Sequence, residues 1–290
     1  MKQSTKNNPE KKREVEILVL SDIHLGTRGC HAKELSKYLK TIKPEILILN
    51  GDIIDFWQFS KRYWPNTHMK IVKQIIGMAS KGTQTYYITG NHDETLRKFT
   101  GIKIGPLEIV NKLVLELDGQ KIWFFHGDVF DVIMQYSKWL AKAGAMGYDG
   151  LILLNNLVNR ISRFFGYGKV SLSKKIKDNI KTSVKYISNF EETAARLALK
   201  KGYNAIVCGH IHSPEIRNIQ IGDSKVLYLN SGDWIENLTA LEYHKRNWKV
   251  FRYIEETSQI NTWIKEDNTQ VIDDYSNKQL FKIMLDEFNS

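Results

Sequence analysis

Five short clusters hold most of the residues that could do chemistry: Asp22-Ile23-His24, Gly51-Asp52, Gly90-Asn91-His92-Asp93, His126-Gly127-Asp128 and Gly209-His210-Ile211-His212. The chain has eight histidines, and five of them (His24, His92, His126, His210 and His212) fall inside these clusters. Random placement would scatter them. Carboxylates, imidazoles and one amide form a donor set for borderline divalent cations such as Mn, Fe or Zn. Thiols take no part, which argues against a structural zinc site.

Spacing gives this donor set a geometry. Asp22 and His24 are two residues apart, as are His210 and His212. In an extended segment such pairs point to the same side. One ion is expected to take Asp22, His24 and His212, and a second Asn91, His126 and His210. Asp52 is expected to bridge them at the roughly 3.5–4 Å separation of two-metal hydrolysis. A water between the ions would attack phosphorus in line. His92, beside Asn91, would protonate the leaving oxygen or stabilise the transition state, and the two would contact substrate. Asp93 and Asp128 are expected to orient histidines, and Asp55 to be structural. His31, His68 and His244 lack partners in the pattern and are expected at the surface.

Each cluster follows a short apolar run. Val15–Leu20, Ile46–Leu49, Thr83–Ile88, Lys121–Phe125 and Asn204–Cys208 all read as strands. Gly51 lacks the Cβ that disfavours positive φ, so it permits a sharp turn that delivers Asp52 at a strand tip. Strand tips are where open α/β sheets place ligands. Ala32–Ile42, ended by Pro44, and Thr67–Ser80, closed by Gly82, read as helices. Ile109–Leu117 alternates as one strand, with Asp118-Gly119 as a hairpin turn. Ile216–Ile221, Lys225–Leu229, Thr239–His244 and Trp248–Tyr253 add further β runs, and a last helix is expected near Lys278–Glu287.

These elements describe an α/β body over 15–128 and 204–254, interrupted by a helical insertion over 129–203. Residues 1–14 are expected to be a disordered basic N-terminus, and 255–290 a polar tail. The 290 residues carry a formal net charge of +10. The insertion has thirteen Lys and Arg against five acids, so most of the excess lies there. Such charge speaks to partners rather than fold. A basic insertion with Trp139, Leu151, Leu154, Phe164 and Phe165 suits a cap over an anionic, acylated substrate and peripheral contact with a membrane surface. The N-terminal segment lacks the apolar stretch of a signal peptide, and no run reaches a membrane span. Cys30 and Cys208 form no disulfide framework, and Cys208 reads as a buried hydrophobe. A cytoplasmic protein, peripheral at the inner membrane surface, is expected. No obligate protein partner is evident and nucleic acid is disfavoured.

In this order, the five clusters resemble the calcineurin-like metallophosphoesterase superfamily, over Val15 to about Tyr243. The resemblance implies a four-layer αββα sandwich of two mixed sheets with helices outside and a helical cap insertion. It also implies a hydrolase acting on phosphoric ester or pyrophosphate bonds with two divalent ions, Mn foremost. Asn230-Ser231-Gly232-Asp233-Trp234 and Thr239-Ala240-Leu241 resemble one branch of it, the UDP-2,3-diacylglucosamine hydrolase-like branch. That branch implies a lipid A pathway pyrophosphatase releasing UMP and a lipid phosphate from a UDP-linked acylated sugar. Hydrolases of that branch carry Arg where this chain has His92, the residue general to the superfamily. A phosphodiesterase or phosphatase acting on nucleotides or other lipid head groups is the first alternative. A nuclease is the second.

Overall fold

Strand β1 (Arg13–Leu20) is buried on both faces along its second half, and its alternation separates two cores. Leu18 and Leu20 enter one packed cluster, Ile17 and Val19 another. The same division runs through β2 (Ile42–Asn50), with Leu47 and Leu49 on one side and Ile48 on the other. Strands apolar on both faces are those of sheets covered on both sides.

A computed structural model describes residues 12–58, 63–131, 187 and 189–254. The elements through Tyr253 form one unit; of a second, Ile254–Ser290, only Ile254 is described. Three further strands lead away from β2: β3 (Gln84–Ile88), then the pair β4 (Lys103–Ile104) and β5 (Leu107–Val110). With β11 (Thr239–His244) and β12 (Asn247–Arg252) they make a seven-stranded sheet in the order β12-β11-β1-β2-β3-β5-β4. Strands β1, β2, β3 and β5 run parallel. The second sheet has five strands: β6 (Leu113–Leu117), β7 (Gln120–Phe124), β8 (Ala205–Cys208), β10 (Ser224–Asn230) and β9 (Glu215–Ile221) in that order.

Ile17, Val19 and Ile48 of the first sheet meet Ile122, Phe124, Val207 and Leu229 of the second. On the outer face of the first sheet, α1 (Ala32–Thr41) and α2 (Asn66–Ala79) contribute Leu35, Leu39, Ile71 and Ile75. On the outer face of the second, a helix over 189–200 contributes Phe190, Ala194, Ala195 and Ala198 against Trp123, Ile206 and Cys208. Its Glu191 is buried and pairs with Arg217 of β9. Three cores between four layers make the αββα sandwich.

Several boundaries differ from the sequence reading. Pro44 lies inside β2 and does not end α1. The helix stops because Ile42 is already extended, at φ −120° and ψ 147°, and the residue before a proline is also biased away from helix. The alternation over Ile109–Leu117 spans two strands. The chain leaves the first sheet after Val110 and enters the second at Leu113, with Asn111-Lys112 as the crossing. Strand β1 begins at Arg13, whose guanidinium pairs with Glu242. His68 is buried, and the Gly26 N–H donates to its Nδ1 at 3.0 Å, so a lone histidine assigned to the surface is a core residue. His31 and His244 are exposed, beside Glu34 and Glu16. Both cysteines are free. Residues 132–186, with Trp139, Leu151, Leu154, Phe164 and Phe165, and the helix expected near Lys278–Glu287 lie outside the described residues. Among the described residues no helix is long and apolar enough to cross a membrane.

Candidate metal centre

Parallel strands of both sheets end on one side of the sandwich, and each delivers a cluster there. Ser21–His24 follows β1, Gly51-Asp52 follows β2, Gly90–Asp93 follows β3, and His126 lies just past β7. His210 and His212 follow β8. The loops are laced together by their backbones: Asp22 N–H donates to Gly51 O at 3.0 Å, and His24 N–H to Asp52 O at 2.9 Å.

The donors converge by a route other than strand alternation. Asp22, His24, Asp52, His210 and His212 all have positive φ, between 48° and 67°. Non-glycine residues rarely adopt this left-handed region, and such strain collects at functional sites. The two-residue spacing therefore works through paired left-handed turns. Gly90 is required sterically: a Cβ there would collide with Asp52 Oδ1.

Donor atoms of Asp22, His24 and His212 lie within 4.8 Å of one another, as do those of Asp52, His126 and His210. Asp52 stands between the groups, its Oδ2 3.2 Å from His126 Nε2 and 4.0 Å from His24 Nε2. The central carboxylates divide their oxygens. Asp52 Oδ1 accepts the His92 N–H at 2.8 Å, and Asp22 Oδ2 accepts the His210 N–H at 3.0 Å. The remaining oxygen of each faces the histidines, with Asp22 Oδ1 3.2 Å from His212 Nε2.

Carbonyls and carboxylates fix the imidazoles from behind. His126 Nδ1 donates to Asn50 O at 3.0 Å, and His24 Nδ1 to Asp55 Oδ2 at 3.1 Å. His210 Nε2 donates to Asp131 Oδ2 at 2.9 Å. Each contact occupies one ring nitrogen and leaves the other facing the site, as in histidines that ligate metals. Buried His24 Nε2, His126 Nε2 and Asn91 Oδ1 make no hydrogen bond. Buried polar atoms without partners are costly and need an explanation. Nitrogen and oxygen donors aimed at a common space fit divalent cations.

The electrostatics point the same way. Burial pushes the Asp52 carboxyl up, but the charge of His126 beside it outweighs this and holds it far below the usual range. Burial likewise opposes ionisation of Asp22, and its bond to His212 with the charge of His126 overrides it. Burial disfavours a charged His126, yet Asp52, then Asp22 and Asp128, raise it to about 10. The site thus keeps two ionised carboxylates out of solvent, where positive charge is stabilised.

His92 lies at the rim, partly exposed, with Nδ1 2.9 Å from Asp55 Oδ2. Its ring is 4.6 Å from that of His24 and 4.2 Å from that of the exposed Trp57. Asp55 is therefore a positioning group for two histidines as well as a loop residue, accepting the Gln58 N–H at 2.8 Å. Asp93 orients backbone and no histidine: it accepts from Ile53 N at 2.9 Å, Gly90 N at 2.6 Å and Tyr87 OH at 2.7 Å. Asp128 pairs with Arg97, which also reaches Gly90 O at 3.3 Å. Sequence reasoning missed Asp131 and Arg97, both outside the clusters. Asp131 carried a weak signal, since it follows His126-Gly127-Asp128 by a single helical step.

The chain is similar to several known proteins. UDP-2,3-diacylglucosamine hydrolase of Aliivibrio fischeri is 25% identical over 248 residues, which cover 80% of this chain and 99% of that protein. The enzyme of the same name from Vibrio cholerae is 24% identical over 245 residues, covering 79% and 95%. A solved structure, Yfce, a phosphoesterase from E. coli, aligns at 14% identity and a TM-score of 0.41, covering 82% of this chain and 93% of that one. The family described as calcineurin-like phosphoesterase matches residues 15–214. With two sheets bringing their strand tips to one nest of histidines and carboxylates, and with that match across most of its length, the chain belongs to the calcineurin-like phosphoesterase family, hydrolases of phosphoester bonds.

Proposed function

We propose that the chain hydrolyses the pyrophosphate of a UDP-linked acylated sugar, of the UDP-2,3-diacylglucosamine kind, to UMP and a lipid phosphate. The observation that carries the chemistry is Asp52 set between two donor groups that face one buried space. Asp22, His24 and His212 would hold one divalent ion, and Asn91, His126 and His210 the other, with Asp52 shared. Mn is the ion proposed; Fe and Zn suit the same donors. When bound, such a pair supplies positive charge to phosphoryl oxygens and acidifies a water nucleophile.

The protein's own residues would do the rest. Asp52 and Asp22, anchored through the backbones of His92 and His210, hold the donors in place without reorganisation. His92, with Asp55 behind its Nδ1, would present Nε2 to the leaving oxygen and give it a proton. Asn91 and His92 would contact the phosphoryl group. Trp57 offers a flat apolar surface beside His92 for the part of the substrate that projects from the mouth. The names of the relatives from Aliivibrio fischeri and Vibrio cholerae favour the substrate, as does the basic segment over 129–203.

A second reading keeps the chemistry and changes the substrate. His92 stands where hydrolases of the similar branch carry Arg, which favours a phosphodiesterase or phosphatase of wider scope. Purified protein with Mn, assayed against UDP-diacylglucosamine, cyclic nucleotides, a chromogenic phosphodiester and single-stranded DNA, decides between them. UMP release at a kcat/KM at least tenfold above the other substrates is expected. Preference for a small diester would overturn the lipid-linked substrate and leave the hydrolase intact.

A further inference from the structure

Helices α1 and α2 begin at one cleft, a space of about 430 Å³. His31, Lys33 and Glu34 at the start of α1 line it, as do Pro65, Thr67 and His68 at the start of α2. The helices are ten and fourteen residues long, and neither N-terminus has a side-chain cap. First-turn N–H groups have no partner within their own helix, and each helix start carries partial positive charge. Cations join them. Arg28 also lines the cleft, its guanidinium carbon 5.6 Å from the centre of the Tyr63 ring. Neither Arg28 nor Lys33 enters an ion pair among the described residues. Glu34 is the one acid among the described residues that line the cleft, and its carboxylate lies 3.7 Å from His31 Nδ1.

A buried donor at the same cleft points to a ligand. His68 is only 2% exposed, yet its ring lines the space. The Gly26 N–H donates to Nδ1 at 3.0 Å, so the neutral ring carries its proton on Nε2. Burial holds His68 below its ordinary pKa and keeps it neutral. The rings of Tyr63 and Trp64 stand edge-on to it at 5.9 and 5.7 Å and fix its orientation. With Nδ1 committed to Gly26, Nε2–H is the polar edge left for the cleft, and it makes no hydrogen bond among the described residues. Polar groups this deeply buried are ordinarily paired.

We propose that this cleft is a phosphate site separate from the metal centre, binding inorganic phosphate or the dianionic head of a phosphomonoester. Helix N-termini bind phosphate through their free N–H groups and their dipoles. Arg28 and Lys33 match the two charges of the dianion. Its terminal oxygens would accept from the backbone N–H groups, the guanidinium and His68 Nε2–H together. Hydrolysis of a phosphodiester or pyrophosphate yields such a monoester, so product and free phosphate are its two sources. The cleft contains none of the metal donors, and the site does not depend on which ester is cut. It is nevertheless tied to their loop. Gly26, bonded to His68, follows His24 by two residues, and Thr27 donates to His24 O through its N–H at 3.2 Å and its hydroxyl at 2.9 Å.

The test is titration calorimetry of the full Mn-loaded chain with inorganic phosphate, UMP and glucosamine 1-phosphate in separate runs. Wild type is expected to bind phosphate, and the double variant Arg28→Ala, Lys33→Ala should bind it about tenfold more weakly or worse. Thr67→Asp is the sharper variant. A carboxylate in the first turn of α2 favours the helix but repels an anion in the cleft, so the melting temperature should hold or rise while phosphate affinity falls about tenfold or more. Both variants should keep wild-type kcat/KM on a chromogenic phosphodiester, which also reports folding. Asp52→Ala separates phosphate held at the metal centre, and the cleft isotherm should persist in it. Tighter binding of UMP or glucosamine 1-phosphate than of phosphate supports the site with a product as its source, and equal binding supports it with free phosphate. Phosphate binding that is equal in wild type and both cleft variants, or that vanishes in Asp52→Ala, would overturn the proposal.

Discussion

The backbone N–H of His92 donates to Asp52 Oδ1 at 2.8 Å, tying the carboxylate at the tip of β2 to the loop after β3. The bond fixes the rotation of the carboxylate and leaves Oδ2 for the space shared by His24 and His126. Asp52→Ala removes a proposed ligand of both ions at once. Loss of several kcal/mol of transition-state stabilisation should lower kcat/KM about 10³-fold or more. Steady-state assays across a range of added Mn check this. A rate restored by excess metal would show that Asp52 is not shared.

Gly90→Ala tests the steric part of the same arrangement. The new Cβ would occupy the place of Asp52 Oδ1, so the β3 loop and Asp52 cannot both keep their positions. Activity should fall at least about tenfold while the fold persists, since the strain falls on a loop rather than a core. Circular dichroism and a chromogenic phosphodiester assay measure the two separately. Wild-type activity would mean that the loop relaxes at no cost to the centre.

Asp55→Asn probes the group behind His24 and His92. Replacing a carboxylate that orients a metal-ligating histidine typically costs 10–100-fold in metal affinity or activity. Here both should move, because Asp55 Oδ2 faces His24 Nδ1 at 3.1 Å and His92 Nδ1 at 2.9 Å. Metal titration and the pH profile of kcat separate the two roles. An unchanged metal affinity with a shifted profile would confine Asp55 to His92.

Much of this centre was legible in the chain because its residue types are out of place. A histidine or aspartate that ends an apolar run has few structural reasons to be there, and five such runs repeat the pattern. The same runs implied an α/β body, whereas the four-layer sandwich was expected only from the resemblance that the clusters carry. What stayed hidden depended on three dimensions. The alternation of Ile109–Leu117 is continuous in sequence, and only pairing shows that it changes sheets at Asn111-Lys112. His68 resembles any surface histidine until the Gly26 N–H is seen to donate to it. Asp55, Asp93 and Asp128 look alike on paper, yet one orients histidines, one binds backbone and one pairs with Arg97.

The two thiols offer a test independent of the centre. Burial, then for Cys30 the nearby Glu34, pushes both thiols up to about 12. The thiolate is the reactive form, so near pH 8 the folded protein should react with a maleimide far more slowly than the denatured chain, at both positions. Mass spectrometry after a timed pulse reads each cysteine. Rapid labelling of Cys208 in the folded protein would contradict its place between the second sheet and the helix over 189–200.

Metal content tests the central claim most directly. Protein loaded with Mn and freed of excess should hold two ions per chain by elemental analysis, and Asp52→Ala should hold fewer under the same conditions. Chelation of the wild type should abolish phosphodiester hydrolysis, and Mn should restore it. A wild-type chain that is fully active with one ion or none would contradict the account.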